Sequence, residues 1–378
     1  MTCVVNQHWD QLTTCVVGRT YPNELLSFIS DRNARYVLER ISNETEQDLQ
    51  NFIGLLERFD VEVLRPAAVD NIQVGDKILP PPITPRDDIA VIGNKVFMPT
   101  TNKNARWNDI RGEDWPELPP ADDHEWQLLD SWIKQELKDI YGITKLEDLY
   151  YKDFSNYKNI EKHFLQHGNK IYYDRKIDSA MVSRIGKDLF FGTWEENEDR
   201  LSEYQDLFPD YTCHIIDTQG HLDGVFCPVA PGLIVSNTEI SLEQFKSNFP
   251  GWEVVYISPT ERSKEFVKLK ASTQGKWWVP GEENNSDFTN FVNYMLGDWT
   301  GFCEETTIGV NLFMLDRKNI VCSVEDDKVF RKFAEYGIET HVVPFRHSNF
   351  WDSGWHCLTN DINRKGKSKD HFQGNAHE

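Results

Sequence analysis

Apolar positions along the chain follow two rhythms, and the alternation between them suggests a repeated unit. Four stretches each hold two short β-type runs around a tight turn, at 89–99, 183–192, 225–236 and 310–323. Each turn carries Gly, Asn, Asp or Pro, the residues that tight connections need. Short β-type runs at 12–19, 61–64, 214–217, 253–257 and 340–345 predict further strands. Helical spacing lies between them. Residues 123–140 set Trp126, Leu129, Trp132, Ile133 and Leu137 on one face, and 287–296 and 325–336 predict shorter helices. Thr45-x-x-Asp48 reads as a capping box opening a helix with Leu49, Phe52, Ile53 and Leu56 on its buried side. The Pro-rich stretch 67–84 reads as a loop, and 363–378 as a polar C-terminal tail.

Shape repeats here, while identity between the copies is low. Several copies of a hairpin-plus-helix unit, with no Gly/Ser-rich linker between them, predict one α/β domain over 1–362, built as a closed ring of similar modules. The 378 residues, 39% hydrophobic and rich in aromatics, suffice for a large core. The net charge of −21 disfavours nucleic acid and anionic membranes as partners and mildly attracts a cation. The simplest account of that charge is solubility. No apolar run approaches the roughly 18 residues of a membrane span.

The seven cysteines are odd in number and have no disulfide or CxxC spacing, which points to a reducing, cytoplasmic setting. Residues 1–20 lack the basic and apolar regions of a signal peptide. There is no HExxH, EF-hand, GxGxxG or P-loop pattern, so no metal and no nucleotide cofactor is expected.

Candidate chemistry enters at the end of the chain. Cys357 lies in Gly354-Trp355-His356-Cys357-Leu358-Thr359, among glycine and polar neighbours that do not suit a plain core slot. It reads as a nucleophile. An unperturbed thiol is only about 3% thiolate at pH 7, so a nearby cation would be needed to raise that fraction. The other cysteines lie mostly within β-type runs and read as buried. His221 stands out because Asp223 follows two residues on, and in an extended segment both side chains share a face. His356, next to the cysteine, would point away from it on a strand and is the weaker base candidate. Asp87 and Asp178 each precede a predicted hairpin. Either carboxylate alone reads as a loop cap or surface ion pair. Together, a thiol, an imidazole and several carboxylates suit attack on a guanidinium carbon. The carboxylates hold the cation, the thiolate attacks and the imidazole moves protons.

An ordered set of motifs runs through nearly the whole chain. It comprises Asn6-x-x-Trp9-Asp10, Val17-Gly18-Arg19, Pro85-Arg86-Asp87 with Gly93-Asn94, and Asp178-x-Ala180 with Arg184-x-Gly186-x-Asp188. It continues with His221-x-Asp223, Pro231-Gly232, Ser236-Asn237, Asn311, Met314-Leu315-Asp316 and Gly354-x-His356-Cys357-x-Thr359-x-Asp361. In this set the chain resembles the amidinotransferases of the pentein (guanidino-group-modifying) superfamily, especially arginine:glycine amidinotransferase. The resemblance implies a five-bladed, pseudo-symmetric α/β propeller with a central site. It implies Cys357 as nucleophile, His221 as general acid/base with Asp178 as its partner, and Asp87 and Asp223 as guanidinium ligands. It implies amidino transfer from L-arginine to a primary amine, glycine first, leaving ornithine and guanidinoacetate, and it suggests a homodimer.

The substrate-facing positions depart from the arginine:glycine pattern. Ile240 stands where an arginine grips a substrate carboxylate, Glu304-Glu305 where a Ser-Ser pair is expected, and Thr218 and Gly220 where Asn and Met are expected. Arg106 and Arg346 are the cations that could replace the missing grip, and Gly220 leaves room for an acceptor larger than glycine. The alternative reading keeps the thiol chemistry but delivers water, as in an arginine deiminase or dihydrolase. From another class comes an inert guanidine-binding or structural protein.

Overall fold

A computed structural model describes residues 2–68, 72–74, 77–99, 131, 134–135, 138, 154–173, 177–193, 198–218, 221–237, 242–257, 279, 281–282, 284–296 and 308–372. The first strand, β1 (Gln11–Val17), leads through a long helix, α1 (Arg32–Arg58), to β2 (Glu62–Leu64), which lies parallel to β1. A small hairpin, β3 (Gln73–Val74) with β4 (Lys77–Ile78), occupies part of the stretch expected as a loop. A unit then repeats. β5 (Ala90–Ile92) and β6 (Lys95–Met98) form an antiparallel pair, α2 (Lys158–Gln166) follows, and β7 (Ile171–Tyr173) returns parallel to β6. The second copy is β8 (Val182–Ile185), β9 (Asp188–Thr193), α3 (Glu198–Leu207) and β10 (Thr212–Asp217). The third is β11 (Phe226–Ala230), β12 (Leu233–Ser236), α4 (Leu242–Asn248) and β13 (Glu253–Tyr256). After α5 (Ser286–Phe291) and a π-helical turn at Val292–Leu296, the fourth copy begins with β14 (Phe313–Asp316) and β15 (Asn319–Cys322). It ends with α6 (Asp327–Glu335) and β16 (Glu339–Val342).

The fifth copy is assembled from both ends of the chain. After α7 (Ser348–Trp351), β17 (Thr359–Lys365) pairs antiparallel with β1, so the unit reads β17, β1, α1, β2. Five three-stranded sheets thus share one connectivity, an antiparallel pair and then a parallel third strand, and they fit a five-blade arrangement. The turn of the second hairpin shows why its sequence must be what it is. Gly186 has φ +69°, and a Cβ there would lie 1.9 Å from the carbonyl oxygen of Lys369.

Two expectations change here. Thr45 and Asp48 do not open a helix; they are buried inside α1, which starts earlier at the cap Asp31, whose side chain accepts from the N–H groups of Asn33 and Ala34. Thr45 Oγ1 instead accepts from Trp351 Nε1 at 2.8 Å, and Asp48 accepts from the Arg346 backbone N–H at 2.8 Å and from its Nε at 2.9 Å. Tertiary partners across the helix took the groups that a local reading assigned to a cap. The tail boundary expected at 363 falls inside β17, and the chain packs on to Phe372, which stacks on Trp252 at 5.3 Å. The hydrogen bond from the Lys187 N–H to the Lys369 carbonyl, at 2.9 Å, holds that stretch down. The predicted helix at 123–140 lies outside the described residues except for 131, 134, 135 and 138, which are helical.

The largest core cluster joins α1 to the segment that ends at the cysteine. Val37, Leu38, Ile41, Leu49, Phe52 and Leu56 pack with Phe350, Trp351, Trp355 and Leu358. Phe52 stacks face to face on Trp355, with centroids 4.4 Å apart and planes within 8°. An aromatic pair of this kind adds about 0.5–1.5 kcal/mol beyond its burial. α1 therefore acts as a buttress behind the loop that carries Cys357.

Candidate active site

The expected site residues sit at one recurring place in the fold. Asp87 lies in a 3-10 turn (Pro85–Asp87) just before β5, Asp178 just before β8, Asp223 in a 3-10 turn (Leu222–Gly224) just before β11, and Cys357 just before β17. Asn311 holds the corresponding place before β14. Hydrogen bonds tie these entry loops to each other. The Ser179 N–H donates to the Arg86 carbonyl at 3.0 Å, and the Leu222 N–H to the Ala180 carbonyl at 3.0 Å. Arg86 Nε donates to the His356 carbonyl at 2.6 Å. Asn360 Nδ2 donates to the carbonyls of Pro85 and Ile89, which fixes the turn that carries Asp87.

Cys357 is buried and held on three sides. Its backbone N–H donates to Asn311 Oδ1 at 2.9 Å, Asn311 Nδ2 donates to its Sγ at 2.8 Å, and its thiol donates to Asp223 Oδ2 at 3.4 Å. Gly354 makes the asparagine contact possible, because a Cβ there would lie 2.7 Å from Asn311 Cβ. Asn311 belongs to the ordered motif set, which assigns it no role. Nothing local in the sequence says that its amide would reach the sulfur.

Asp223 is the second anchor. His356 Nδ1 donates to its Oδ2 at 2.7 Å, and Oδ1 is buried with no hydrogen-bond partner among the described residues. Burial pushes the carboxyl up, but the His356 hydrogen bond, with the nearby His221 and Arg86 charges, outweighs it and holds Asp223 below the usual carboxylate range. The extended geometry expected for His221 and Asp223 is not found. The 3-10 turn at 222–224 sends Asp223 inward to the sulfur, while the His221 side chain stays 36% exposed, its Nδ1 4.0 Å from Asp87 Oδ1. Asp178 accepts from the Met181 N–H at 2.8 Å. Burial raises it to about 7, with the His221 charge pulling it down and the Asp87 and Asp223 charges pushing it up. Asp178 therefore meets His221 through charge, and its hydrogen bond goes to backbone.

A charged hub lies behind the loops. Asp361 Oδ1 accepts from Arg86 Nη2 at 3.0 Å and Arg184 Nη2 at 2.8 Å, and its Oδ2 accepts from Arg364 Nε at 2.6 Å. All four residues are buried. Burial pushes Asp361 up, but the three guanidinium charges hold it well below the carboxylate range. Each arginine also reaches a backbone carbonyl, of His356, Val91 and Met314 respectively. One carboxylate, with the arginines it holds, thereby links four of the five sheet units.

No family model matches the chain. The mitochondrial glycine amidinotransferase of Xenopus tropicalis is 23% identical to it over 98% of this chain and 84% of that protein. The L-arginine:L-lysine amidinotransferase of Pseudomonas savastanoi pv. phaseolicola is 21% identical over 75% of this chain and 67% of that protein. The chain resembles the amidinotransferases of the pentein superfamily. Their fold is matched as well. SxtG, an amidinotransferase from Microseira wollei in the saxitoxin biosynthetic pathway, aligns with a TM-score of 0.62 at 17% identity, covering 98% of this chain and 99% of that one.

Against that resemblance, the substrate-facing departures can be followed only in part. Thr218 is buried. Gly220, Ile240, Glu304, Glu305 and Arg106 lie outside the described residues. Arg346 is committed to α1, where its side chain meets Asp48 at 2.8 Å and Glu44 at 3.9 Å, so its charge is already matched there. Cys3, Cys15, Cys213, Cys227 and Cys322 are buried, and burial raises each thiol, which suits unreactive core positions. Among the described residues, no helix is long and apolar enough to cross a membrane.

Proposed function

We propose that this chain is an amidinotransferase that moves the amidino group of L-arginine to a primary amine through an amidino-cysteine on Cys357, glycine being the first acceptor to try. The observation that carries this reading is the pairing of the Cys357 sulfur with Asp223. One oxygen of that carboxylate meets the thiol at 3.4 Å, while the other is buried and without a hydrogen-bond partner among the described residues. A buried carboxylate edge of that kind calls for a donor, and a planar guanidinium supplies two parallel N–H groups. Asp87, in the neighbouring loop, adds a second carboxylate.

In the first half-reaction the cysteine sulfur forms a bond to the guanidino carbon and the bond from that carbon to the side-chain nitrogen of arginine breaks. The thiol proton ends on the departing amine, carried by His221, and ornithine leaves. In the second half, the acceptor amine attacks the amidino carbon, the carbon–sulfur bond breaks, and the amine's proton returns to the thiol through His221. Atoms and charge balance in each half, with guanidinoacetate as the product when glycine accepts. Asp178 tunes His221 through its charge.

The test is a product analysis with L-arginine alone, then with glycine, then with a mixed pool of amines, followed by mass. Ornithine that forms only when an amine is present, together with an amidinated amine, is the expected result. Citrulline or ammonia formed without an amine would move the chain to the guanidino hydrolases.

A further inference from the structure

His356 is the nearest neighbour of the nucleophile in sequence and the closest partner of Asp223 in space. The strand alternation that would point it away from Cys357 does not apply, because residues 355–358 form turns. Its ring is buried, 5.7 Å from the ring of His8 and 6.3 Å from that of Phe313. Its backbone carbonyl is held by Arg86 Nε, and Arg86 is itself anchored on Asp361. Its Nδ1 lies 2.7 Å from Asp223 Oδ2, and a carboxylate oxygen can only accept, so Nδ1 carries the proton.

We infer that His356 is a positioning residue for the guanidino substrate: its Nδ1–H pins Asp223 Oδ2 beside the Cys357 sulfur, so that Asp223 Oδ1 is presented to the incoming cation. This rests on the amidino-transfer reading above. A carboxylate turns about its last bond with two nearly equivalent settings. The His356 hydrogen bond selects one of them and leaves one edge open. Burial, then the Arg86 charge, takes the imidazole down to about 4 against the opposing pull of Asp223. At pH 7 the ring is then neutral. That suits a fixed neutral donor and does not suit the proton carrier of the reaction, a role that stays with the more exposed His221.

The test is equilibrium binding of L-arginine to the full chain carrying Cys357→Ser, in which no turnover occurs. Asparagine places an amide donor near Nδ1, whereas glutamine places it near Nε2. With Cys357→Ser as reference, adding His356→Asn is expected to leave the dissociation constant within about threefold, and adding His356→Gln to weaken it about ten- to a hundredfold. On the otherwise native chain, the same pair should separate in KM for arginine, with kcat nearly equal. Equal binding by both variants, or a fall in kcat rather than a rise in KM, overturns the proposal. If the Cys357→Ser protein itself does not bind arginine, the substrate reading fails instead. Nitrogen NMR of 15N-histidine-labelled Cys357→Ser protein needs no substitution at position 356. Two buried rings, His356 and His8, whose Nε2 accepts from the Arg184 N–H at 3.2 Å, should stay in the neutral Nδ1–H form between pH 5.5 and 8, and fewer than two such rings would sink the idea.

Discussion

Cys357 and His221 occupy equivalent places, each in the loop that enters the first strand of a repeated unit, yet their surroundings differ. Cys357 is 4% exposed and bonded through backbone and sulfur to Asn311 and through its thiol to Asp223. Behind it stand α1, through Phe52 on Trp355, and the Asp361 hub, through Arg86 on the His356 carbonyl. The His221 side chain is 36% exposed, 4.0 Å from Asp87, and coupled to Asp178 by charge. An attacking atom must be held to within a fraction of an ångström. On the proposed reading a proton carrier must reach both a leaving and an entering amine, which favours contact with solvent. The two halves therefore should fail in different ways when broken.

On the amidino-transfer reading, the largest expected effect comes from removing Cys357 or His221. Cys357→Ser should lower turnover about ten-thousandfold or more, and the mass adduct on the protein should disappear. His221→Asn should lower turnover about a hundred- to ten-thousandfold while changing stability by less than about 1 kcal/mol, because the side chain is 36% exposed. Steady-state ornithine release and thermal unfolding, measured on the same samples, check the pair. A His221→Asn protein as active as the native chain would remove His221 from the reaction.

Next in size is the hub. Asp361→Asn leaves three buried guanidinium groups without their shared counter-charge, and breaking a buried pair this way costs about 3–5 kcal/mol. Here stability falls first and activity follows it, the reverse of His221→Asn. Denaturant unfolding reads the change directly. A loss under about 1 kcal/mol would mean that the carbonyl contacts of Arg86, Arg184 and Arg364 hold the loops by themselves.

Much of the scaffold is legible in the sequence, and the reasons are local. The hairpins carry their own turn chemistry, as at Asp316, whose side chain accepts from the Lys318 N–H and from Asn319 Nδ2. What is not legible is what depends on distant partners. β17 pairs with β1 from the other end of the chain, so the fifth unit has no continuous pattern to read. Arg86, Arg184, Arg364 and Asp361 look like ordinary charged residues, and only folding shows them buried on one another. The ordered motifs brought out Cys357, Asp223, Asp87, Asp178 and His221. The same motifs contain Asn311 and His356 but do not show their contacts, because that of the first depends on the absent side chain of Gly354 and that of the second on a turn at 355–358 in place of a strand.

The smallest expected effect sharpens the looser half. Burial raises Asp178 to about 7, from an ordinary value of 3.8 that the unfolded chain would show. Between about pH 4 and pH 7 the folded protein therefore keeps a proton that the unfolded chain has lost. Stability contributed by this group is full below about pH 4, declines as pH rises to about 7 and stays low above it. Asp178→Asn keeps an oxygen for the Met181 N–H and removes the charge. It should flatten that slope and make the folded protein more stable above pH 7, by on the order of 1–3 kcal/mol after allowance for solvent screening. Turnover should move the other way. The ionised carboxylate is the form that supports a protonated His221, so the native chain should gain activity as pH rises through about 7, and the variant should lack that limb. Thermal unfolding at pH 5 and pH 8, set beside the pH–rate profile, separates these effects. An unchanged stability slope in Asp178→Asn would place the titrating group elsewhere, and Asp87, the nearest other carboxylate to His221, would then be the one to replace.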